Sequence, residues 1–228
     1  MEIFSHFYDL FKSDLVNLVE ESQNFGFVHP HLNSTYIALI PKKKTAHTFS
    51  DFQPISLCNL VYKIISKTIA NRLKPILSKF ISPQKYGFLK HWEIHDVVAT
   101  ARECLHSIQS KHLDAAIMKV DLKKAFDCLD WGFLRLVLHK IDIQASAINW
   151  IMACVTTVNF LVVINGYPTY FFKYGRGLMQ GCSLSPLLFI LALDGLNLHI
   201  SHSFYMDDVL IMGLLNRFAW LHLFQVFL

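Results

Sequence analysis

The chain has few cysteines, and their spacing excludes the common uses of this residue. Five are spread over 228 residues, an odd number with none close together: Cys58, Cys104, Cys128, Cys154 and Cys182. No pair has the short spacing of a zinc ligand set or of a redox Cys-x-x-Cys motif. The default expectation is therefore buried thiols in a reducing compartment, without disulfides.

Acidic residues are nearly absent between residues 30 and 90. Asp51 is the one carboxylate there, against ten basic residues: Lys42, Lys43, Lys44, Lys63, Lys67, Arg72, Lys74, Lys79, Lys85 and Lys90. The whole chain has a formal net charge of only +4, so this bias is local. Such a surface attracts a polyanion, and nucleic acid is the first candidate. Charge alone fits a solvated basic face without a partner equally well.

Targeting signals are also lacking. The N-terminus has no basic region followed by an apolar run and a small-residue cleavage site, so we expect no secretory signal. Residues 209–228 are very apolar, but Asn216, Arg217, His222 and Gln225 interrupt them. This segment is a poor membrane span, and we expect no membrane partner.

The chain is rich in apolar residues. It is 53% hydrophobic and 14% aromatic, with 19 phenylalanines, which is enough for a sizeable core. Apolar spacing predicts helices at the N-terminus, over 60–80 with a break or bend at Pro75, and over 97–110, 124–139, 149–155 and 184–193. Short apolar runs predict strands at 36–40 and 115–120, and hairpins over 160–172 and 204–211. This mixture predicts an α+β fold.

Three aspartates carry the functional hypothesis. Asp121 lies where a predicted strand gives way to a helix, and Asp207 and Asp208 lie between two strand-like runs. Carboxylates that meet at one sheet edge can hold two Mg²⁺ ions, which phosphoryl transfer uses to activate a 3′-hydroxyl and to stabilise developing charge. Each feature alone has a simpler explanation, as a helix-entry residue or as a solvated turn.

The residues around these aspartates resemble the palm motifs of plant-type non-LTR (LINE-type) retrotransposon reverse transcriptases. Residues 119–127, followed by Asp130-Trp131, are similar to the first aspartate motif, and residues 205–208 to the second. Between them, residues 176–189 resemble the glycine-rich motif that contacts the incoming nucleotide. Further blocks match the family's fingers in the family's order, at 33–43, 52–59, 62–65, 70–73 and 81–84.

The resemblance implies a right-hand polymerase fold with fingers and a palm, and an antiparallel palm sheet packed on helices. We expect an N-terminal helical segment (1–30), a fingers/palm domain (31–212, palm core about 113–212) and, in departure from the family, a degenerate apolar tail (213–228) in place of a thumb. The implied activity is RNA-directed DNA polymerisation, which adds deoxynucleotides to a DNA primer on an RNA template with two Mg²⁺ or Mn²⁺ ions. An element of this kind works on nuclear DNA, so the nucleus is the expected compartment if that role is retained.

The resemblance also implies roles for individual residues. Asp121, Asp207 and Asp208 are the expected catalytic and metal-binding carboxylates. Phe126 is expected to pack under the deoxyribose, although its place on a buried helical stripe also fits a core residue. Gln180 and Gly181 are expected to approach the nucleotide. Five cations are expected to bind nucleic acid: Lys42, Lys43, Lys44, Lys63 and Arg72. Gly166 and Trp131 are expected to be structural, in a turn and beside the palm helix.

The chain departs from the family where the chemistry is sensitive. Met179 and Cys182 stand where the family has Arg and Asp, and Gln53 and Trp92 each stand where it has Arg. An arginine that grips a triphosphate makes paired, charge-assisted contacts that these side chains cannot supply. The connection over 194–204 is short for the family, which indicates an internal deletion. We therefore expect an inactive copy, with a non-catalytic nucleic-acid-binding remnant as the alternative.

Overall fold

The computed structural model describes His6 and residues 8–81, 94–121, 124–164, 167–195, 201–205 and 208–214. In chain order the elements are α1 (Tyr8–Phe25), β1 (Ser34–Pro41), a 3₁₀ turn (Phe49–Asp51), β2 (Phe52–Cys58), α2 (Leu60–Phe80), α3 (Ile94–Ser110), β3 (Ala115–Asp121), α4 (Ala125–Cys128), α5 (Trp131–Lys140), α6 (Ala145–Thr156), β4 (Asn159–Ile164), β5 (Tyr167–Pro168), α7 (Ser185–Gly195), β6 (Ser201–Tyr205) and β7 (Asp208–Leu214). The α+β class expected from the sequence is confirmed.

Two compact units make up the chain. The first comprises Met1–Arg72 and Phe126–Leu188, and the second comprises Leu73–Ala125 and Phe189–Leu228. Neither unit is continuous in sequence, so local patterns do not reveal this division. The segment boundaries expected near residues 30 and 212 stay predictions.

A four-stranded sheet in the order β2-β1-β4-β5 forms the frame of the first unit. β1 runs antiparallel to β2 and parallel to β4, so that Tyr36 lies opposite both Leu57 and Leu161. The β4–β5 hairpin confirms the one expected over 160–172, although its second strand begins earlier, at Tyr167. The turn residues 165–166 lie outside the described residues. Nothing in the local sequence signals the β1–β4 pairing, because those strands are far apart along the chain.

α2 shows how the helical spacing builds a core. Its buried side chains follow three- and four-residue steps, as in Tyr62, Ile65 and Ile69, while Lys63 and Lys67 lie on its exposed face. The helix continues through Pro75 without a break. The break considered for this position is therefore absent.

The single helix expected over 124–139 is wrong, because two helices occupy this stretch. α4 ends at Cys128 and α5 begins at Trp131. Asp130 separates them in an extended conformation, and its carboxylate accepts a 2.7 Å hydrogen bond from the backbone N–H of Phe133. An aspartate at this position satisfies an amide that the first helical turn leaves unpaired.

A three-stranded antiparallel sheet in the order β3-β7-β6 belongs to the second unit. Its strands confirm the antiparallel sheet and the second hairpin expected over 204–211. Residues 206 and 207, which join β6 to β7 in the sequence, lie outside the described residues, as do Trp92 and the tail beyond residue 214. No helix in the described part of the chain is long and apolar enough to span a membrane.

Candidate functional site

The register of the smaller sheet makes two of the three expected aspartates partners on adjacent strands. Asp121 ends β3 and Asp208 begins β7, and the two residues are direct partners in the antiparallel ladder. The short connection over 194–204 therefore does not keep the two aspartate motifs apart. The deletion itself stays a prediction. Asp207 lies outside the described residues, and among those described no three His, Cys, Asp or Glu side chains are grouped to hold a metal ion.

In the first unit, backbone hydrogen bonds tie the glycine-rich segment to the segment that contains Phe126. The N–H of Gly177 donates to the carbonyl of Leu129, and the N–H of Leu178 donates to that of Phe126, both at 2.7 Å. The indole of Trp131 adds a 2.8 Å bond to the carbonyl of Gly177. Trp131 thus makes a structural contact, while the packing expected beside the palm helix stays a prediction. Residues 126–131 and the start of the glycine-rich motif thus share one hydrogen-bonded frame within the first unit.

Two glycines in this segment have positive φ angles, +91° at Gly177 and +97° at Gly181. A Cβ on Gly177 would lie 2.7 Å from the carbonyl oxygen of Asp127, and one on Gly181 would lie 3.1 Å from that of Ser56. Gly181 was expected to let a nucleotide approach the backbone, and that role stays a prediction. The structure shows that Gly177 and Gly181 let the protein's own backbone approach.

Gln180 is held against the edge of β2. Its carbonyl accepts a 2.9 Å bond from the N–H of Ser56, and its side-chain oxygen lies 3.4 Å from the amide nitrogen of Gln53. Gln53 stands where the family has an arginine. The contact therefore links an expected nucleotide-binding residue to one of the positions at which the chain departs from the family.

Two of the positions at which the chain departs from the family, on either side of Gln180-Gly181, are occupied by core residues. Met179 and Cys182 are each only 5% exposed. The Cys182 sulfur lies 3.7 Å from the hydroxyl of Tyr62, which donates a 3.1 Å bond to the carbonyl of Cys154. Burial raises the pKa of Tyr62, Cys154 and Cys58 above their ordinary values. The thiols of Cys58 and Cys154 therefore stay protonated at neutral pH, as expected of buried core cysteines.

This buried group is only partly what the sequence predicts. Cys58, Cys154 and Cys182 are buried as expected, but Cys128 is exposed, and all five cysteines are free thiols. Sequence reasoning missed Tyr62 as the residue that joins Cys154 and Cys182. An arginine or aspartate at position 179 or 182 would bury a charge, which costs several kcal/mol unless the charge is paired.

In the basic segment, residues 30–90, Lys43 forms an ion pair with Asp51, the one acidic residue of that segment. The ammonium group of Lys43 lies 2.7 Å from the Asp51 carboxylate, which also accepts bonds from the backbone N–H groups of Thr48 at 2.9 Å and His47 at 3.0 Å. These bonds, led by the one from Lys43, lower the pKa of Asp51. Lys42 and Lys44 are exposed beside this pair. The Lys43 ammonium group therefore already contacts a carboxylate within the protein, although its side chain is 59% exposed.

Arg72 has a contact within the protein that its charge did not predict. Its guanidinium donates a 2.6 Å bond to the side-chain oxygen of Gln23 and lies 5.6 Å from the ring centroid of Trp150. The indole N–H of Trp150 in turn donates to the hydroxyl of Ser22 at 3.1 Å. Arg72 thereby joins α2 to α1 and α6. Nucleic-acid binding by Arg72, as by the four expected lysines, stays a prediction.

Known proteins resemble this chain in sequence. A family model described as reverse transcriptase (RNA-dependent DNA polymerase) matches residues 40–216, which is well over half of the chain. The transposon TX1 uncharacterized 149 kDa protein of Xenopus laevis is 29% identical over 194 residues, covering 85% of this chain and 15% of that protein. The Pol polyprotein of the type-2 retrotransposable element R2DM of Drosophila melanogaster is 26% identical over 157 residues, covering 69% of this chain and 15% of the polyprotein. The chain thus spans about 15% of the length of each of these relatives.

Solved structures resemble it in fold. Telomerase from Candida tropicalis, in complex with a fragment of telomeric RNA, superposes with a TM-score of 0.62 at 13% identity, over 96% of this chain and 41% of that one. The expected fingers/palm architecture is thereby confirmed, while the plant-type assignment stays a prediction. Proteins of the reverse transcriptase family generally use divalent metal ions. The family match and these relatives show that the chain belongs to the reverse transcriptases, on the branch of the non-LTR retrotransposons.

Proposed function

We propose that the chain keeps the carboxylate framework of an RNA-directed DNA polymerase and that, instead of the inactive copy expected from its departures from the family, it is a slow enzyme. The pairing of Asp121 with Asp208 carries the proposal. Residues directly opposite in an antiparallel pair generally have Cβ atoms about 4.5–5.5 Å apart. With Asp207, these aspartates would hold two Mg²⁺ or Mn²⁺ ions, which stabilise charge on the transferred phosphoryl group. The RNA complex of the telomerase relative supports an RNA template.

We expect slow turnover because the chain lacks arginines that the family has, and not because its aspartates are misplaced. Gln53 is exposed, so an arginine there would keep its charge in solvent, whereas Met179 is buried, so an arginine there would bury a charge. The loss of one contact that stabilises transition-state charge typically slows an enzyme by about 10²–10³-fold. Because the chain lacks several such contacts, we expect extension far below that of an intact enzyme.

Primer extension on an RNA template with Mg²⁺ or Mn²⁺ tests this proposal. We expect weak extension by the parent chain, stronger extension by Gln53→Arg, and none by Asp207→Ala/Asp208→Ala. Circular dichroism would establish that each variant is folded. Extension that survives in the double aspartate variant would refute the proposal. A folded parent and a folded Gln53→Arg variant that both fail to extend would refute it as well.

The second candidate function is nucleic-acid binding without catalysis. It is favoured by the exposed lysines of the basic segment, among them Lys42, Lys44 and Lys63. It predicts affinity with little sequence preference that falls steeply with salt. Each phosphate contact contributes about 0.7–0.9 to the slope of log K against log salt. Lys42→Ala/Lys44→Ala should therefore reduce the slope by about 1–2, and affinity that is indifferent to salt would exclude this function.

A further inference from the structure

The segment that follows β5 exposes large aromatic rings. Tyr170 is 96% exposed and Phe171 is 63% exposed, and Tyr167 in β5 is 78% exposed. Clustered exposed apolar groups are unusual on a soluble domain and typically mark a binding surface. The exposure of two adjacent rings therefore indicates a binding surface for a ligand with flat apolar faces.

The backbone on both sides of these rings is fixed. Before them, the N–H of Thr169 donates to the carbonyl of Val162 at 2.9 Å, and the Thr169 hydroxyl accepts from the N–H of Val162 at 3.0 Å. After them, Phe172 and Phe160 exchange two backbone hydrogen bonds of 2.8 and 2.9 Å. Tyr170 and Phe171 thus lie between two anchored points, which lowers the entropy that binding would cost.

A stack of aromatic rings supports the same segment from within. The ring of Phe160, which is only 2% exposed, stacks with that of Tyr174 at a centroid distance of 4.0 Å and with that of Phe172 at 6.0 Å. Three of the aromatic residues in this region therefore have packing partners inside the protein. The exposed rings of Tyr170 and Phe171 project from an ordered base rather than from a loose loop.

The charged residues within this stretch of the sequence are basic, and one carboxylate from elsewhere acts on it: burial and, after it, the Asp127 carboxylate of α4 raise the pKa of Tyr174. Between Asp142 and Asp194 the sequence has no acidic residue, and its only charged residues are Lys173 and Arg176. Both are exposed and close in sequence to the two rings. A second copy that docked symmetrically through the same segment would bring these cations against their own counterparts. A ligand that combines flat apolar faces with negative charge avoids this repulsion.

We propose that Tyr170 and Phe171 form an aromatic platform on which the bases of a single-stranded nucleic acid stack, while Lys173 and Arg176 attract its phosphates. Stacking of bases on aromatic side chains is tolerant of sequence, and a duplex cannot use it because its bases are already stacked. The inference rests on the proposed function in one respect, that the chain handles nucleic acid. It does not depend on turnover.

Fluorescence anisotropy with labelled single-stranded RNA, and with the matching duplex, tests the platform on the full chain. Tyr170→Ala/Phe171→Ala should weaken single-strand binding by at least about tenfold, since each stacked base contributes roughly 1–3 kcal/mol and 1.4 kcal/mol is tenfold. Tyr170→Phe/Phe171→Tyr keeps both rings and should bind like the parent. Phe25→Ala is the matched control, because Phe25 is an aromatic residue of α1 that is 76% exposed. Duplex affinity should be the same in all variants.

Several outcomes would overturn the platform. One is single-strand affinity that Tyr170→Ala/Phe171→Ala leaves unchanged, and another is an equal loss in Phe25→Ala. A third is a change in elution volume without a change in RNA affinity, which would show that the rings contact a second copy. Absence of primer extension, with platform-dependent RNA binding intact, would count against the proposed polymerase activity alone.

Discussion

Gly177→Ala should destabilise the protein more than any other glycine-to-alanine change in the glycine-rich segment. A φ of +91° is strained for an alanine, at about 1–3 kcal/mol. The added Cβ would also lie 2.7 Å from a backbone oxygen, that of Asp127, which cannot rotate away as a side chain can. Forcing an extra carbon into a packed site costs about 1–3 kcal/mol more. We therefore expect the free energy of unfolding to fall by about 2–6 kcal/mol.

Gly175 provides the matched control for this change. A Cβ on Gly175 meets no atom within 4 Å, and its φ is not in the positive region that alanine avoids. Gly175→Ala should therefore be neutral or stabilise by up to about 1 kcal/mol. Urea unfolding of both variants measures the difference in their free energies of unfolding. The slope of that free energy against urea concentration should be the same in both variants. Equal stabilities for the two variants would refute the reasoning about the backbone contact with Asp127.

Two further changes test local contacts. Asp130→Ala removes the carboxylate that accepts from the N–H of Phe133, and we expect urea unfolding to show a loss of about 0.5–2 kcal/mol, with Asp130→Asn close to the parent. Asp51→Asn should destabilise the chain at neutral pH, because the folded state lowers the pKa of Asp51 and the stability this confers is present above the unfolded pKa of about 3.9. That stability is lost as pH falls through the folded-state pKa, so the difference from the parent in urea unfolding should shrink below about pH 4, and a difference that grows on acidification would contradict the assignment.

The elements with clear periodicity could be predicted from the sequence, and the contacts between distant segments could not. The buried stripe of α2 repeats every three or four residues, so the spacing alone locates the helix. The two hairpins have strand-like runs on both sides of a short turn. The parallel pairing of β1 with β4 has no local signal. The two strands are far apart in the sequence, and which strands pair depends on how their side chains pack and are buried in the folded chain.

The split between α4 and α5 shows a different limit. Apolar positions continue in register through Leu129 and Phe133, so periodicity predicts one helix. The carboxylate of Asp130 instead caps a new helix at Trp131, and this hydrogen bond decides the boundary. The signal was present in the sequence as an aspartate three residues before Phe133, but aspartates at such positions also occur inside longer helices.

The candidate site follows the same pattern. The aspartate motifs were found from local sequence and family resemblance. The pairing of Asp121 with Asp208 depends on the register of β3 against β7, which the alternation of residues along each strand restricts. The involvement of Arg72 with Gln23 and Trp150 could not be predicted, because it depends on how α1 and α6 pack against α2. A lysine or arginine in a basic segment has the same sequence signature whether it binds a phosphate or a neighbouring side chain.

The most direct test of the carboxylate framework is Mn²⁺ binding followed by electron paramagnetic resonance, which needs no turnover. We predict that Asp121→Asn and Asp208→Asn each weaken Mn²⁺ binding by at least about tenfold, since even changes to residues that only support metal ligands cost 10–100-fold. Asp142→Asn is the control, because Asp142 is exposed and its φ of 59° is one that asparagine accepts. Parent-like Mn²⁺ affinity in both aspartate variants would contradict the claim that the paired strands form one metal site.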